Sequence, residues 1–405
     1  MDLGGISLTE INPYPQLTAD SEKCLIQPLL ENNIFKSRTI NRYFASYPSA
    51  KEGEKADVIC KIMEDIWKEE KLFKTFKSFD FFLATSGKRG HFVHQFEVYL
   101  LGLNFILYFH GKDNLFHLKY GLESLDQVIF AWLITASAHD FGYSVEGAHK
   151  IFTKLSKLYK NFGLEYLSDK LNVGEFKEII KKEGDFSKIY IRKESSTLTG
   201  SFLDIKSLVL KSIKNSLSLS LNEAVKLEST FIKDNRHGYV SALLLSRILL
   251  ADLIGKNELN HVIKSWKYKS LGLAAGAIAI HNLDSNSETE TSLIPKIKYE
   301  KNPLAYLLFI VDNIQDWSRT LFRDENFPEY KLEKYSLSNN DMRLEYAVIH
   351  TDWNDEAKQS VDDFLKAKSL ILKKLKKPTN PFGLNISLHF HGNNNNIYQP
   401  ITFNI

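Results

Sequence analysis

The sequence has few of the features that define several large classes of protein. It contains only two cysteines, Cys24 and Cys60, in 405 residues, which excludes a disulfide framework or a thiolate zinc site and indicates a reducing compartment. Its net charge is only +3, so no overall basic field favours nucleic acid as a partner. The longest clean apolar run, residues 128–138, is too short for a bilayer crossing. With no signal-like N-terminus, we expect a cytoplasmic protein without a membrane partner.

Common catalytic motifs are also absent. Residues 86–91, SGKRGH, contain Gly-Lys but lack the glycine spacing and the following Ser or Thr of a phosphate-binding loop. The chain has no G-x-S-x-G, no G-x-G-x-x-G and no H-E-x-x-H. Catalysis by a nucleophilic serine or cysteine therefore has no local support in the sequence.

The apolar residues between about residues 55 and 323 have helical spacing, which predicts a mainly α fold. Asn302 and Pro303 are typical of the N-cap and the first position of a helix. Residues 150–235 are rich in Lys and Ser and less apolar, which predicts surface helices of an insertion or cap. The predicted core helices cover residues 56–76, 91–109, 125–138, 238–254, 271–280 and 303–323.

The two ends of the chain differ from this helical part. Residues 1–50 contain several prolines and little periodicity, which predicts an irregular N-terminal arm. Residues 343–350 and 384–391 alternate as half-buried strands do, with an amphipathic helix between them. The predicted domains are therefore an arm at 1–50, a helical domain at 51–330 with an insertion at about 150–235, and a small α+β module at 335–405.

Histidines and aspartates interrupt or end the apolar helices. A buried ionised carboxylate is costly unless a positive charge compensates it. Several helices that each bring an imidazole or a carboxylate are best explained by a shared divalent cation, and these ligands suit Mn, Fe, Zn, Co or Mg. The side chains concerned are His91, His94, His139, Asp140, His237, His281, Asp312 and Asp316.

Each of these side chains also has a simpler interpretation. A single buried histidine is more often a hydrogen-bonded core residue than a metal ligand. His237 and His281 lie at helix ends, where an imidazole can cap carbonyl groups. His91 lies one turn from His94 and is an alternative occupant of the same role, whereas Asp316 could lie on the solvated edge of its helix.

The order of these residues resembles the HD-domain superfamily of metal-dependent phosphohydrolases. Residues 94–98 (HQFEV), 139–143 (HDFGY) and 309–319 (FIVDNIQDWSR) are similar to the helices that carry that family's first His, its His-Asp doublet and its last Asp. The resemblance covers about residues 85–325 and implies an HD-type helical bundle. Three features depart from the family pattern: the long separation of Asp140 from His237, Asn282 in place of a second His after His281, and the lack of basic residues in GYSVEG, which follows the doublet.

The resemblance implies one or two bound divalent transition metals. Asp140 would bridge the two ions and take part in catalysis, in which a metal-activated water attacks a phosphate ester or anhydride. The first ion would be held by His94, His139, Asp140 and Asp312, and the second by Asp140, His237 and His281.

Other side chains are predicted to act on the substrate. His91 is the candidate for protonating the leaving oxygen, because imidazole titrates in the useful range. Arg89 and Arg236 are candidates for contacting phosphate, since a guanidinium can pair with two phosphate oxygens. Gln315 and Arg319 are predicted to line the pocket beside Asp312.

These expectations describe a hydrolase of a small phosphorylated substrate, such as a nucleotide or cyclic nucleotide. An alternative within the same fold is a nucleoside triphosphate or diphosphate hydrolase. A different alternative is a catalytically inactive HD-like sensor or scaffold that binds a nucleotide or a metal without turnover. The C-terminal module would serve regulation or homo-oligomerisation. Alternatively, this module would carry the function of the protein, and the helical domain would only support it structurally.

Overall fold

The structure of the chain, a computed structural model, is mainly helical, with a small sheet near the C-terminal end. Its four-stranded sheet follows the last long helix, and residues 361–366, between two of its strands, are helical where the sequence predicted a helix. The structure describes residues 23–31, 37–67, 90–113, 122–143, 156–158, 160–161, 188–190, 202–233, 236–256, 259–283, 297–315, 329–338, 341–349, 359, 361–366, 369, 385–392 and 400–404.

The described helices precede most of the strands. The helices are α1 (Lys23–Glu31), α2 (Arg38–Ser46), α3 (Glu52–Trp67), α4 (Gly90–Asp113), α5 (Leu125–Ala138), α6 (Ile205–Leu217), α7 (Leu221–Lys233), α8 (His237–Lys256), α9 (Leu259–Lys264), α10 (Trp266–Ile280) and α11 (Pro303–Ile314). The strands are β1 (Lys188–Tyr190), β2 (Phe202–Asp204), β3 (Glu329–Ser338), β4 (Asp341–Ile349), β5 (Asn385–Gly392) and β6 (Ile401–Asn404). Of these helices, not one combines the length and the apolar character that crossing a bilayer requires.

Helix α10 lies at the centre of the helical part and contacts α5, α6, α8 and α11. Its sequence explains this position, because its second half consists of small and aliphatic residues that are all buried. Gly276 lies directly against Ser216 of α6, and a Cβ at this glycine would be 2.4 Å from the Ser216 hydroxyl oxygen. Small side chains therefore let the surrounding helices approach α10 closely.

Helices α4 and α5 are locked together by Trp132. The indole is fully buried, donates a hydrogen bond from Nε1 to the Tyr99 carbonyl at 2.9 Å, and covers Gly102, where a Cβ would lie 2.0 Å from the ring. His94 precedes Gly102 by two turns and His139 follows Trp132 by two turns. This packing therefore brings both histidines to the same end of the helix pair.

The C-terminal sheet has the strand order β3-β4-β5-β6. Strands β3 and β4 are antiparallel, β4 and β5 are parallel, and β5 and β6 are antiparallel. Tyr346 of β4 stacks on Phe390 of β5 with ring centroids 4.8 Å apart, and its hydroxyl donates to the Ile314 carbonyl at 2.5 Å. The buried face of the sheet therefore contacts the end of α11.

The structure differs from the sequence prediction in several places, among them strands β1 and β2, which lie in the region predicted to form surface helices. Residues 1–50 were predicted to be irregular, but α1 and α2 lie there, and the ring of Phe44 in α2 stacks on Phe96 of α4. Helix α6 falls in the predicted surface insertion, yet it packs against α10 through buried residues. The helix predicted at 303–323 ends at Ile314, because Gln315 has an extended backbone.

Candidate metal centre

Six side chains from five helical segments meet at one place, and we call them the His/Asp cluster. His94 lies in the first turns of α4 and Asp312 in the last turn of α11. The other members lie at helix ends, since His139 and His281 are the C-caps of α5 and α10, and His237 begins α8. The cluster consists of His94, His139, Asp140, His237, His281 and Asp312.

Asp140 lies between two pairs of histidines. Its Oδ2 is 3.4 Å from Nε2 of His139 and 3.9 Å from Nε2 of His94. Its Oδ1 is 3.4 Å from Nε2 of His237 and 3.8 Å from Nε2 of His281. The two oxygens of this carboxylate thus face different pairs of imidazoles.

Asp312 completes the first half of the cluster. Its Oδ1 lies 3.0 Å from Nε2 of His94 and 3.7 Å from Nε2 of His139. Neighbouring ligands on a divalent ion with bonds of about 2.1 Å are themselves separated by about 3.0–3.4 Å. Three overlapping sets of three side chains have their ligand atoms within 4.8 Å of one another. The cluster could therefore hold a metal ion.

Hydrogen bonds behind three of the imidazoles orient Nε2 towards the cluster. Nδ1 of His139 donates to the Ala136 carbonyl at 2.7 Å, and Nδ1 of His281 donates to the Ile278 carbonyl at 2.7 Å. Nδ1 of His94 donates to the side-chain oxygen of Gln315. With the proton on Nδ1, the Nε2 lone pair is available as a metal ligand.

The field around the cluster favours a cation. Helices α5 and α10 end at His139 and His281, and the C-terminal end of a helix carries partial negative charge. Two carboxylates add to that charge, and Nε2 of His139 is buried without a hydrogen bond among the described residues. A set of acceptors that converge in this way is stabilised by a positive ion.

Burial keeps two of the imidazoles neutral. Desolvation lowers the pKa of His139, and it lowers the pKa of His237 to about 4. The pKa of His281 is raised, because Asp140 and Asp312 together outweigh the burial that would lower it. His139 and His237 are therefore uncharged at neutral pH, which is the form that binds a metal.

The low pKa of His237 predicts acid sensitivity of the metal-free protein. The unfolded chain binds a proton near pH 6.5, but the folded chain binds it only near pH 4. The contribution of His237 to stability is therefore fully present above pH 6.5, and about 3 kcal/mol of it is lost as the pH falls to 4. Urea unfolding across this range should show a shallower pH dependence for His237→Asn. The exposed His261→Asn is the control, and equal slopes for all three proteins would contradict the prediction.

Two glycines allow the start of α8 to approach the cluster. A Cβ at Gly142 would lie 2.1 Å from the His237 carbonyl oxygen, and the Gly142 amide donates to Ser241 at 2.7 Å. A Cβ at Gly238 would lie 2.6 Å from the Ile278 carbonyl oxygen and 2.9 Å from Cε1 of His281. A larger side chain at either position would separate α8 from its neighbours.

Two residues around the cluster, Glu97 and Tyr143, were not predicted as functional from the sequence. Glu97 is fully buried and accepts hydrogen bonds from Gln315 at 2.8 Å and from the Tyr47 hydroxyl at 3.1 Å. The sequence could have indicated Glu97, because this residue is a carboxylate inside an apolar helix, one turn from His94. The Tyr143 ring stacks on His237 with centroids 3.9 Å apart, which no sequence pattern indicated.

The six predicted metal ligands are thus brought together, and the other predicted residues have different positions. Gln315 is fully buried, and its side-chain amide is hydrogen-bonded to His94 and Glu97. Arg236 donates to the Asn282 carbonyl at 3.5 Å, beside the His237 end of the cluster. The side chain of His91, as well as Arg89, Asp316 and Arg319, lie outside the part of the chain that the structure describes.

No protein-family model matches the chain, and comparison with curated proteins and with solved structures gives no match. The protein is a mainly helical chain with a small C-terminal sheet and a buried His/Asp cluster that could hold a metal ion.

Proposed function

We propose that the chain is an HD-type, metal-dependent phosphohydrolase that acts on a small phosphorylated substrate such as a nucleotide or a cyclic nucleotide. The observation that carries this proposal is the position of Asp140, whose two oxygens each face a different pair of histidine Nε2 atoms. A carboxylate in this position can bridge two cations. Mn, Fe, Zn and Co suit its mixed imidazole and carboxylate surroundings, and Mg is a further candidate.

The residues divide into two ligand sets that share Asp140. One set contains His94, His139 and Asp312, and the other contains His237 and His281. When bound, divalent ions in such a site activate a water molecule and neutralise charge on a phosphoryl group. The protein holds the ligands rigidly, because hydrogen bonds from Nδ1 of His139 and His281 to backbone carbonyls fix these two rings.

Differences in exposure suggest the side from which a substrate would approach. The side chains of His237 and Asp312 are 16% and 18% exposed, whereas those of His139 and Asp140 are 0% and 6% exposed. Arg236 directly precedes His237, so its guanidinium is a candidate for contacting a phosphate there. His91 remains the candidate for protonating the leaving oxygen.

The inactive sensor or scaffold remains the alternative function. Asn282 favours it, because this residue stands where a second histidine would complete one of the family's signatures. Such a protein would bind a metal or a nucleotide and would not turn over phosphate esters.

Metal analysis combined with a hydrolysis assay separates these functions. We expect protein produced with Mn²⁺ or Fe²⁺ to retain one or two ions per chain and to hydrolyse chromogenic phosphate monoesters or diesters. A chelator should abolish the activity, and added metal should restore it. A folded, metal-free and inert protein would contradict the proposal. Metal binding without turnover, on these esters and on a panel of phosphorylated metabolites, would support the sensor.

A further inference from the structure

Asn282 and His237 form one end of a hydrogen-bonded chain in the second half of the cluster. The side-chain nitrogen of Asn282 lies 3.2 Å from Nδ1 of His237 and donates to it. Nε2 of His237 lies 3.2 Å from Nε2 of His281, whose own Nδ1 donates to the Ile278 carbonyl. An imidazole that accepts at Nδ1 carries its proton on Nε2. In this arrangement the N–H at Nε2 of His237 faces His281 and Oδ1 of Asp140, and Nε2 is not offered as a ligand.

Gln315 imposes the opposite state on His94. Its side-chain oxygen accepts from Nδ1 of His94, and its side-chain nitrogen donates to Glu97 at 2.8 Å. Glu97 also accepts from the Tyr47 hydroxyl at 3.1 Å, so both carboxylate oxygens act as acceptors. This fixes the Gln315 amide in one orientation, so Nδ1 of His94 is protonated and Nε2 points into the cluster, 3.0 Å from Oδ1 of Asp312.

The Asn282 amide lacks a comparable anchor. Its Oδ1 is buried without a hydrogen bond among the described residues. Turning the amide by half a rotation would place this oxygen opposite Nδ1 of His237, where it could accept a proton from that nitrogen. The proton of His237 would then reside on Nδ1, and Nε2 would become a ligand.

We propose that Gln315 and Asn282 are positioning residues, one for each half of the metal centre, and that they act differently. Gln315 holds the ring of His94 with Nδ1 protonated and Nε2 directed at the cluster. Asn282 switches His237 between a hydrogen-bond donor in the metal-free protein and a ligand in the loaded protein. This inference rests on the proposed metal binding. It requires the half with His94 to fill first and the half with His237 to bind its ion more weakly.

The tautomers provide a direct test without metal or activity. In metal-free protein labelled with ¹⁵N-histidine, long-range ¹H–¹⁵N spectra should show His94 protonated on Nδ1 and His237 protonated on Nε2. Asn282→Asp offers only acceptors and should move the His237 proton to Nδ1, with His94 unchanged. If that variant does not fold, Asn282→Ser, which is too short to reach His237, should give mixed tautomers. A wild-type His237 that is already protonated on Nδ1 would overturn the switch.

Metal affinity tests the consequence of the switch. Calorimetric titration with Mn²⁺ should resolve two binding events in the wild type. Gln315→Met should weaken the first, and Asn282→Leu should weaken the second, each by about tenfold to a hundredfold. Asn282→Asp should strengthen the second event, whereas Asn222→Asp, which adds the same charge at an exposed position, should not.

The outcomes separate this inference from the proposed function. Equal losses at both binding events in each variant would overturn the division of roles. If the wild type binds neither Mn²⁺ nor Fe²⁺, the proposed function fails, and the tautomers of the metal-free protein still decide whether Asn282 and Gln315 orient the two histidines. Binding of two ions without hydrolysis leaves the positioning roles supported.

Discussion

Replacement of Asp140 by alanine is expected to remove metal binding from both halves of the cluster. Asp140 contacts all four imidazoles, since each of its oxygens faces two Nε2 atoms. Loss of the metal charge that stabilises a phosphoryl transition state would cost about 4 kcal/mol, which corresponds to a decrease in turnover of about a thousandfold. Metal content by mass spectrometry and hydrolysis of a chromogenic ester measure the two effects.

Two further variants test whether the effect of Asp140→Ala is specific to the position of this carboxylate. Asp363→Ala removes the same charge from a side chain that is 63% exposed, and its metal content and turnover should equal those of the wild type. Asp312→Ala removes a carboxylate whose Oδ1 lies 3.0 Å from Nε2 of His94 and 3.7 Å from Nε2 of His139, so it should weaken the first ion more than the second. An Asp140→Ala protein that keeps its full metal content would show that this carboxylate is not the bridge.

The candidate ligands were accessible from the sequence because of their context. Asp140 and Asp312 stand out as charges in or after apolar helices, and His139 directly follows a run of buried residues. The apolar character of residues 125–138 also predicted α5 with the bounds that the structure has. Residues of this kind are conspicuous because burying a charged or polar group is costly, so their position in or beside an apolar segment indicates them.

The partners behind the ligands were not accessible in the same way. Gln315 was predicted to line a pocket inside a helix that continued to residue 323, but α11 ends at Ile314, and the extended backbone of Gln315 accompanies its contacts with His94 and Glu97. Asn282 contacts His237 across 45 positions of sequence. Neither contact has a local pattern, because both depend on how separate helices pack.

In the C-terminal sheet, too, some strands could be predicted from the sequence and others could not. Strands β4 and β5 were predicted within one or two residues, because buried and exposed residues alternate along them. Strand β3 was missed, and its register shifts between Leu332 and Lys334. A bulge inserts an extra residue and reverses the alternation on which strand prediction depends. The short helices α1 and α2 were missed because their stability comes from docking on α4 and not from local propensity.

A methyl group at Gly238 is expected to damage the second half of the metal centre selectively. The Cβ of Gly238→Ala would lie 2.6 Å from the Ile278 carbonyl oxygen, 2.8 Å from Oδ1 of Asn282 and 2.9 Å from Cε1 of His281. A backbone oxygen cannot move aside as a flexible side chain can, so α8 must shift away from α10. That shift separates His237 from His281, whose Nε2 atoms are now 3.2 Å apart.

The size of the Gly238→Ala effect follows from overpacking and from misplacement of a ligand. Overpacking costs about 1–3 kcal/mol of unfolding free energy, and a displacement near 1 Å lowers activity by about a hundredfold. Gly272→Ala is the matched control, because its Cβ would meet only the Ser212 hydroxyl at 3.7 Å. That helical substitution should be neutral or stabilising. Denaturant unfolding and Mn²⁺ titration of both variants test this, and a Gly238→Ala protein with an unchanged second binding event would show that the close approach of α8 and α10 is not needed for the site.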